Sequence, residues 1–228
     1  MISAPRRDIN KIGDANVMTD DGTISRFDRA SHYYQTDSIP YRKISADRVS
    51  QLVEPASNDV ILDMGCGTGT QLIELAGRIK RGIGIDLSSG MVQRANDLLK
   101  KSKCSNLEFH VGDFLTPERT VSLDKMKINK IISNYALHHL SLADKKRALE
   151  KMLRITGDHL EMIVIGDLMF FDDPRNYTGQ YDQIGYGPGT DLPSYADELA
   201  DLFDRSCFSV TLDSIHPLVG VLKAVRKF

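Results

Sequence analysis

The chain is poor in the features that would place it outside a reducing, aqueous compartment. Its 228 residues include three cysteines, Cys66, Cys104 and Cys207. They are far apart and odd in number, and they form neither a Cys-x-x-Cys pair nor a zinc spacing. That excludes a disulfide framework, and reduced thiols in a cytoplasmic protein are expected. No apolar run approaches ~18 residues, so neither a transmembrane helix nor a membrane partner is expected. The opening stretch MISAPRRDINKIGD has no apolar core of signal-peptide length. An excess of one charge is missing too. The 29 Lys and Arg against 31 Asp and Glu leave a formal net charge of −2. No general field therefore draws the chain to nucleic acid or anionic membrane. There is no repeat at a fixed period and no low-complexity tract. The Asn176-Tyr177-Thr178 sequon is not expected to meet a glycosylation machinery in such a chain.

What is present is the composition of one globular domain, 41% hydrophobic and 26% charged. Residues 1–39 are polar and weakly periodic and read as an N-terminal arm; residues 40–228 read as the domain. Within it, YRKISADRVSQLVE has helical spacing and stops at Pro55. Short apolar strands (DVILDMG, GIGID, NLEFHVGD, INKIISNY, HLEMIVIGDLMF) alternate with helical segments (TQLIELAGRI, SSGMVQRANDLLKKSK, LADKKRALEKMLRI). Ser88 is a plausible N-cap of the second of these helices, whose C-terminal lysines complement its dipole. A further helix opens at Pro193 over PSYADELADLFDR. FSVTLDSI and VGVLKAVRKF close the chain as two strands. The alternation predicts an α/β fold, a doubly wound, mainly parallel sheet with helices on both faces. The last connection is too short for a parallel crossover, so the final pair forms an antiparallel hairpin.

The first strand of the domain runs into Val60-Ile-Leu-Asp-Met-Gly-Cys-Gly-Thr-Gly-Thr70. Ligands of such sheets bind beyond the carboxyl ends of the strands, and glycine lets them approach the main chain. A dinucleotide fingerprint is Gly-x-Gly-x-x-Gly. Here the glycines are Gly65, Gly67 and Gly69, and the sixth position is Thr70. Asp63 would repel a pyrophosphate but favours a cationic centre such as an amino group or a sulfonium. Asp86 ends the second strand 17 residues after Gly69, where a carboxylate can accept from both ribose hydroxyls. Asp113 ends the third, suited to an adenine amine, with Leu87 and Phe114 available for the ring faces. Asn134 and Tyr135 lie at the same edge of the fourth.

These segments resemble the class I S-adenosylmethionine-dependent methyltransferases. VILDMGCGTG is similar to the family's glycine motif, GIGIDLSSGM to its acidic ribose motif, VGDF to its adenine motif and SNYALHHL to its post-fourth-strand motif. SCFSV sits where the family often has Ala-Gly-Phe, with Cys207 in the glycine position. The resemblance spans about residues 40–228. It implies a seven-stranded sheet of order 3-2-1-4-5-7-6 with strand 7 antiparallel, and S-adenosyl-L-methionine as cofactor with S-adenosyl-L-homocysteine as product. It places Asp63, Gly65, Cys66, Gly67, Gly69, Asp86, Leu87, Met91, Asp113, Phe114 and Asn134 around that cofactor.

The acceptor is less legible. SNYA replaces the motif that related enzymes use on planar amino groups, and the charge is balanced. A small molecule is therefore expected, methylated at O, N, S or C, with nucleic acid disfavoured. No acid–base pair is compelling; His138, Tyr135 and Tyr41 are the catalytic candidates. Metal binding by His138 and His139 is not expected, since neighbouring side chains on a strand or turn usually diverge. Tyr33, Tyr34, Tyr41, Tyr177, Tyr181 and Tyr186 fall in irregular segments where the family builds a lid and pocket. Their alternative is packing of loops onto the domain. Two other classes stay open: a cofactor-binding regulator without turnover, and a nicotinamide-dependent oxidoreductase, which Thr70 and Asp63 oppose. The sequence is silent on oligomeric state.

Overall fold

The computed structural model describes residues 39–120 and 122–227. The expected arm lies outside them apart from Ile39. The strands are β1 (Val60–Met64), β2 (Arg81–Asp86), β3 (Leu107–Val111), β4 (Lys130–Asn134), β5 (Met162–Phe170), β6 (Ser194–Tyr195), β7 (Phe208–His216) and β8 (Val219–Arg226). The helices are α1 (Pro40–Leu52), α2 (Thr70–Leu75), α3 (Ser89–Lys101), α4 (Leu142–Thr156), α5 (Tyr181–Ile184) and α6 (Ala196–Ala200).

The sheet order is β3-β2-β1-β4-β5-β8-β7. β1 to β5 pair in parallel, and β8 runs antiparallel to both β5 and β7. This is the expected order, with β7 and β8 standing as its sixth and seventh strands. One strand was not foreseen. Ser194 and Tyr195 pair in parallel with Met169 and Phe170 as the two-residue β6. That pairing also corrects the last helix. It starts at Ala196 rather than Pro193, because Ser194 and Tyr195 are held extended and Glu198 reaches back to the Tyr195 N–H at 3.0 Å.

Local chemistry explains the other ends. Pro40 opens α1, where a missing N–H costs nothing. The Ser88 hydroxyl accepts from the Met91 N–H at 3.1 Å and caps α3, which ends in Lys100 and Lys101. Successive strand residues feed opposite cores. Ile61, Ile132 and Val164 belong to one apolar cluster, and their neighbours Leu62, Ile131 and Ile163 to the other. All nine residues of β5 are buried, as a strand covered on both faces requires. A third, aromatic-rich cluster of Tyr135, Leu168, Phe170, Ile184, Leu218 and Val219 sits at the carboxyl ends of β4 and β5.

Candidate active site

The glycine loop joins β1 to α2 at the carboxyl edge of the sheet. Gly65, Gly67 and Gly69 all have positive φ, at 76°, 52° and 72°. Two of them differ in what surrounds them. A Cβ on Gly65 would lie 2.4 Å from the Ala136 Cβ and 3.1 Å from the Phe114 ring. The segment after β4 thus crosses directly over the loop. A Cβ on Gly67 would meet nothing within 4 Å. Gly67 is bare toward open space, which is where a ligand can approach the main chain.

Two carboxyl groups face this loop. Asp86 accepts from the Gly67 N–H at 2.8 Å through one oxygen and from the Ser88 N–H at 2.9 Å through the other. It therefore ties the end of β2 to the loop. Asp63 is 2% exposed and has no hydrogen-bond or ion-pair partner among the described residues. Burial, with a smaller contribution from the Asp86 charge, pushes its carboxyl up to about 8. Between them lies Cys66, buried beside both; burial raises its thiol well above the ordinary value, which leaves it unreactive.

The other expected cofactor residues are distributed unevenly. Leu87 is 37% exposed beside the end of β2. Asp113 accepts from the Leu115 N–H at 2.8 Å and the Thr116 hydroxyl at 3.2 Å, so it also builds its own turn. Met91 is 1% exposed and lies inside the domain core. The Asn134 side chain accepts from the Ser45 hydroxyl at 2.7 Å and donates to the Arg42 carbonyl at 3.2 Å. It therefore clamps α1 to β4.

Past β4 the chain is strained. Tyr135 has φ of 53°, rare for a bulky residue, and its buried hydroxyl has no partner among the described residues. Burial and the nearby Asp167 charge raise its phenol well above the ordinary value, which favours the protonated form. His138 is 4% exposed. Asp167 accepts from its main-chain N–H at 2.9 Å and lies 2.5 Å from its Nδ1. The expectation that His138 and His139 diverge is not met: their ring centroids are 4.0 Å apart. The turn of 3-10 helix at Leu137–His139 brings the two rings together. His139 Nδ1 is 3.6 Å from a carboxylate oxygen of Asp191.

The candidate tyrosines pack together. Tyr41, Tyr177, Tyr181 and Tyr186 line the aromatic cluster, with the Tyr177 hydroxyl on Asp172 and the Tyr181 hydroxyl on the Pro174 carbonyl. Tyr41 stacks edge-on against His216 at 5.0 Å. Tyr33 and Tyr34 lie outside the described residues.

Residues 55–166 match the family model described as a methyltransferase domain. An uncharacterized methyltransferase of Oceanobacillus iheyensis is 33% identical over 192 residues, which cover 79% of this chain and 83% of the relative. The chain belongs to the class I S-adenosylmethionine-dependent methyltransferases. Solved structures of the same fold include the N-methyltransferase NodS from Bradyrhizobium japonicum with S-adenosyl-L-homocysteine. It is 14% identical with a TM-score of 0.65, over 90% of this chain and 99% of NodS. Another is the magnesium protoporphyrin IX methyltransferase of Synechocystis with the same ligand, 18% identical with a TM-score of 0.60, over 90% and 87%.

Three residues of this methyltransferase's carboxyl edge escaped the sequence reading. Asp167 left a signal: it is the one carboxylate inside the apolar run of β5. Asp191 and Lys145 left none. Lys145 is 2% exposed, and its ammonium donates to the Leu192 carbonyl at 2.5 Å and the Ser194 hydroxyl at 2.9 Å. Burial pulls it down to about 8. It pins the loop that carries Asp191.

Proposed function

We propose that this methyltransferase transfers the methyl group of S-adenosyl-L-methionine to a small-molecule acceptor in the cytoplasm. One observation carries the reading: the Asp63 carboxyl, buried and without a partner among the described residues, lies near the end of the strand that leads into the loop of bare Gly67. A nucleoside that also bears an ammonium supplies both things the site lacks, a flat group against the glycine and a cation for the acid. Asp86 would accept from the ribose hydroxyls through its remaining lone pairs, and Leu87 and Phe114 would hold the adenine faces, with Asp113 at its amine.

The chemistry asks little more of the chain. The acceptor's nucleophile forms a bond to the methyl carbon, the carbon–sulfur bond breaks, and its electron pair stays on sulfur. Alignment and exclusion of water supply the main acceleration. The aromatic cluster and the Tyr135 hydroxyl fit a compact acceptor with a polar atom. Methylation of a small molecule is also what the name of the protoporphyrin enzyme describes for that protein. The balanced charge speaks against nucleic acid. Three free cysteines match a reducing compartment, and no described helix is long and apolar enough to cross a membrane.

The test is calorimetric titration with S-adenosyl-L-methionine and S-adenosyl-L-homocysteine. Micromolar binding is expected, weakened by about 1–3 kcal/mol in Asp86→Ala, the cost of unpairing ligand hydroxyls. Absence of binding to either refutes the reading, and tight binding of a nicotinamide cofactor would replace it. Binding without turnover across an acceptor screen would leave a regulator.

A further inference from the structure

The geometry points to a divalent transition-metal site of the zinc class, which we propose is formed by His138, His139 and Asp191. One ligand atom from each lies within 4.8 Å of the others. His139 Nδ1 and the nearer Asp191 oxygen are 3.6 Å apart. That is too long for a good hydrogen bond. It is close to the ~3.3 Å between two ligands that share a tetrahedral ion at ~2.0–2.1 Å. Closure by about 1–1.5 Å brings the widest pair to the same spacing.

The surroundings are those of a ligand set. Asp167 holds His138 through Nδ1, which leaves Nε2 as the nitrogen available to an ion. A carboxylate behind a histidine is the usual support of a metal ligand, fixing its ring and raising its basicity. Asp191 is fixed in turn: one oxygen accepts from the Gly187 N–H at 2.7 Å, and the Leu192 N–H bonds the His138 carbonyl at 2.6 Å. The two halves of the site are thus joined by main chain, not left to loop motion. The buried charges are Asp167 and Asp191 against Lys145, one negative charge in excess. Two imidazoles and one carboxylate suit zinc, cobalt or nickel rather than calcium or magnesium. Three protein ligands leave one position open. An acceptor heteroatom could take that position, two residues along the chain from Ala136, which crosses the glycine loop.

The test uses Co2+ alone as the probe, on the full chain carrying Cys207→Ser, since that exposed thiol would bind cobalt itself. The expected result is saturable visible absorption of tetrahedral cobalt at one equivalent, displaced by Zn2+. His139→Ala and Asp191→Asn should each abolish it, and Asp167→Asn should weaken it by about 10–100-fold. S-adenosyl-L-homocysteine affinity, measured in parallel, reports that each variant is folded. Absence of the cobalt spectrum in the parent chain overturns the proposal, as does a spectrum unchanged by His139→Ala and Asp191→Asn. Cobalt binding without nucleoside binding would keep the metal site and remove the methyltransferase reading, so the two fail separately.

Discussion

Cofactor binding should expel a proton from Asp63. In the free protein burial holds this carboxyl up at about 8, against an ordinary value of 3.8. That gap is worth roughly 5–6 kcal/mol at ~1.36 kcal/mol per pH unit. The sign follows. Below about pH 4 the group is protonated in both the folded and the unfolded chain. Between about 4 and 8 only the folded chain keeps the proton, so this group's contribution to stability is lost as pH rises through that window. An ammonium placed about 4 Å away contributes on the order of 4 kcal/mol at an effective dielectric of 20. That is enough to keep Asp63 ionised at pH 7 once the cofactor is bound. The free protein at pH 7 carries this proton in about nine molecules of ten, so binding should release close to one proton. The assay is calorimetry of S-adenosyl-L-homocysteine in buffers of different ionisation enthalpy. The apparent enthalpy should change with the buffer, and affinity should strengthen by nearly tenfold per pH unit between about pH 6 and 7.5. Asp63→Asn should abolish both effects. Flat affinity and no buffer dependence in the parent chain would refute the placement of a cation beside Asp63.

Four further variants have expected outcomes. Gly67→Ala should cost about 1–2 kcal/mol, the strain of a side chain at positive φ with no clash added, yet weaken nucleoside binding by tenfold or more. Gly65→Ala should instead lower the unfolding free energy by about 2 kcal/mol or more through the Ala136 clash, so the two variants separate in a paired urea melt and titration. Lys130→Met should cost roughly 3–5 kcal/mol. It removes the only cation paired with Asp59 among the described residues, 2.8 Å away at the amino edge of the sheet, and leaves that 2% exposed carboxylate with the Asn129 amide and the Ala56 N–H alone. Its S-adenosyl-L-homocysteine affinity should match the parent's, and a weakened affinity would show that the two edges are coupled. Deleting residues 1–38 should raise the acceptor's Michaelis constant if the arm closes over the site; unchanged kinetics on the true acceptor would sink the lid reading.

The parts of the fold that were legible are those written locally. Strand, glycine turn and helix follow one another within Val60–Leu75, and the turn chemistry of three glycines needs no distant partner to be recognised. The same holds for Asp86, whose place at the end of a short apolar run fixes it at the carboxyl edge. The two-residue β6 was missed because nothing local marks it. Ser194 and Tyr195 are extended only because Met169 and Phe170 lie alongside, and their tertiary pairing overrides the helical pattern that begins at Pro193.

The acceptor side was illegible for a related reason. His138 could be named, but not what holds it. The parallel register sets Asn134 opposite Gly166, so Asp167 falls beside the segment that leaves β4, 29 residues away in sequence. Asp191 arrives from a loop that Lys145 and the His138 carbonyl tie down. Each of these contacts depends on a register or a loop path, and neither is encoded in spacing along the chain. The contrast is physical. A site that binds a common nucleoside is built from one strand–turn–helix unit and its neighbouring strand ends. A site that selects an acceptor is assembled from segments that only the finished sheet brings together. The proposed metal site is of that second kind, because its ligands come from two segments that meet only when β4, β5 and the 187–194 loop are all in place.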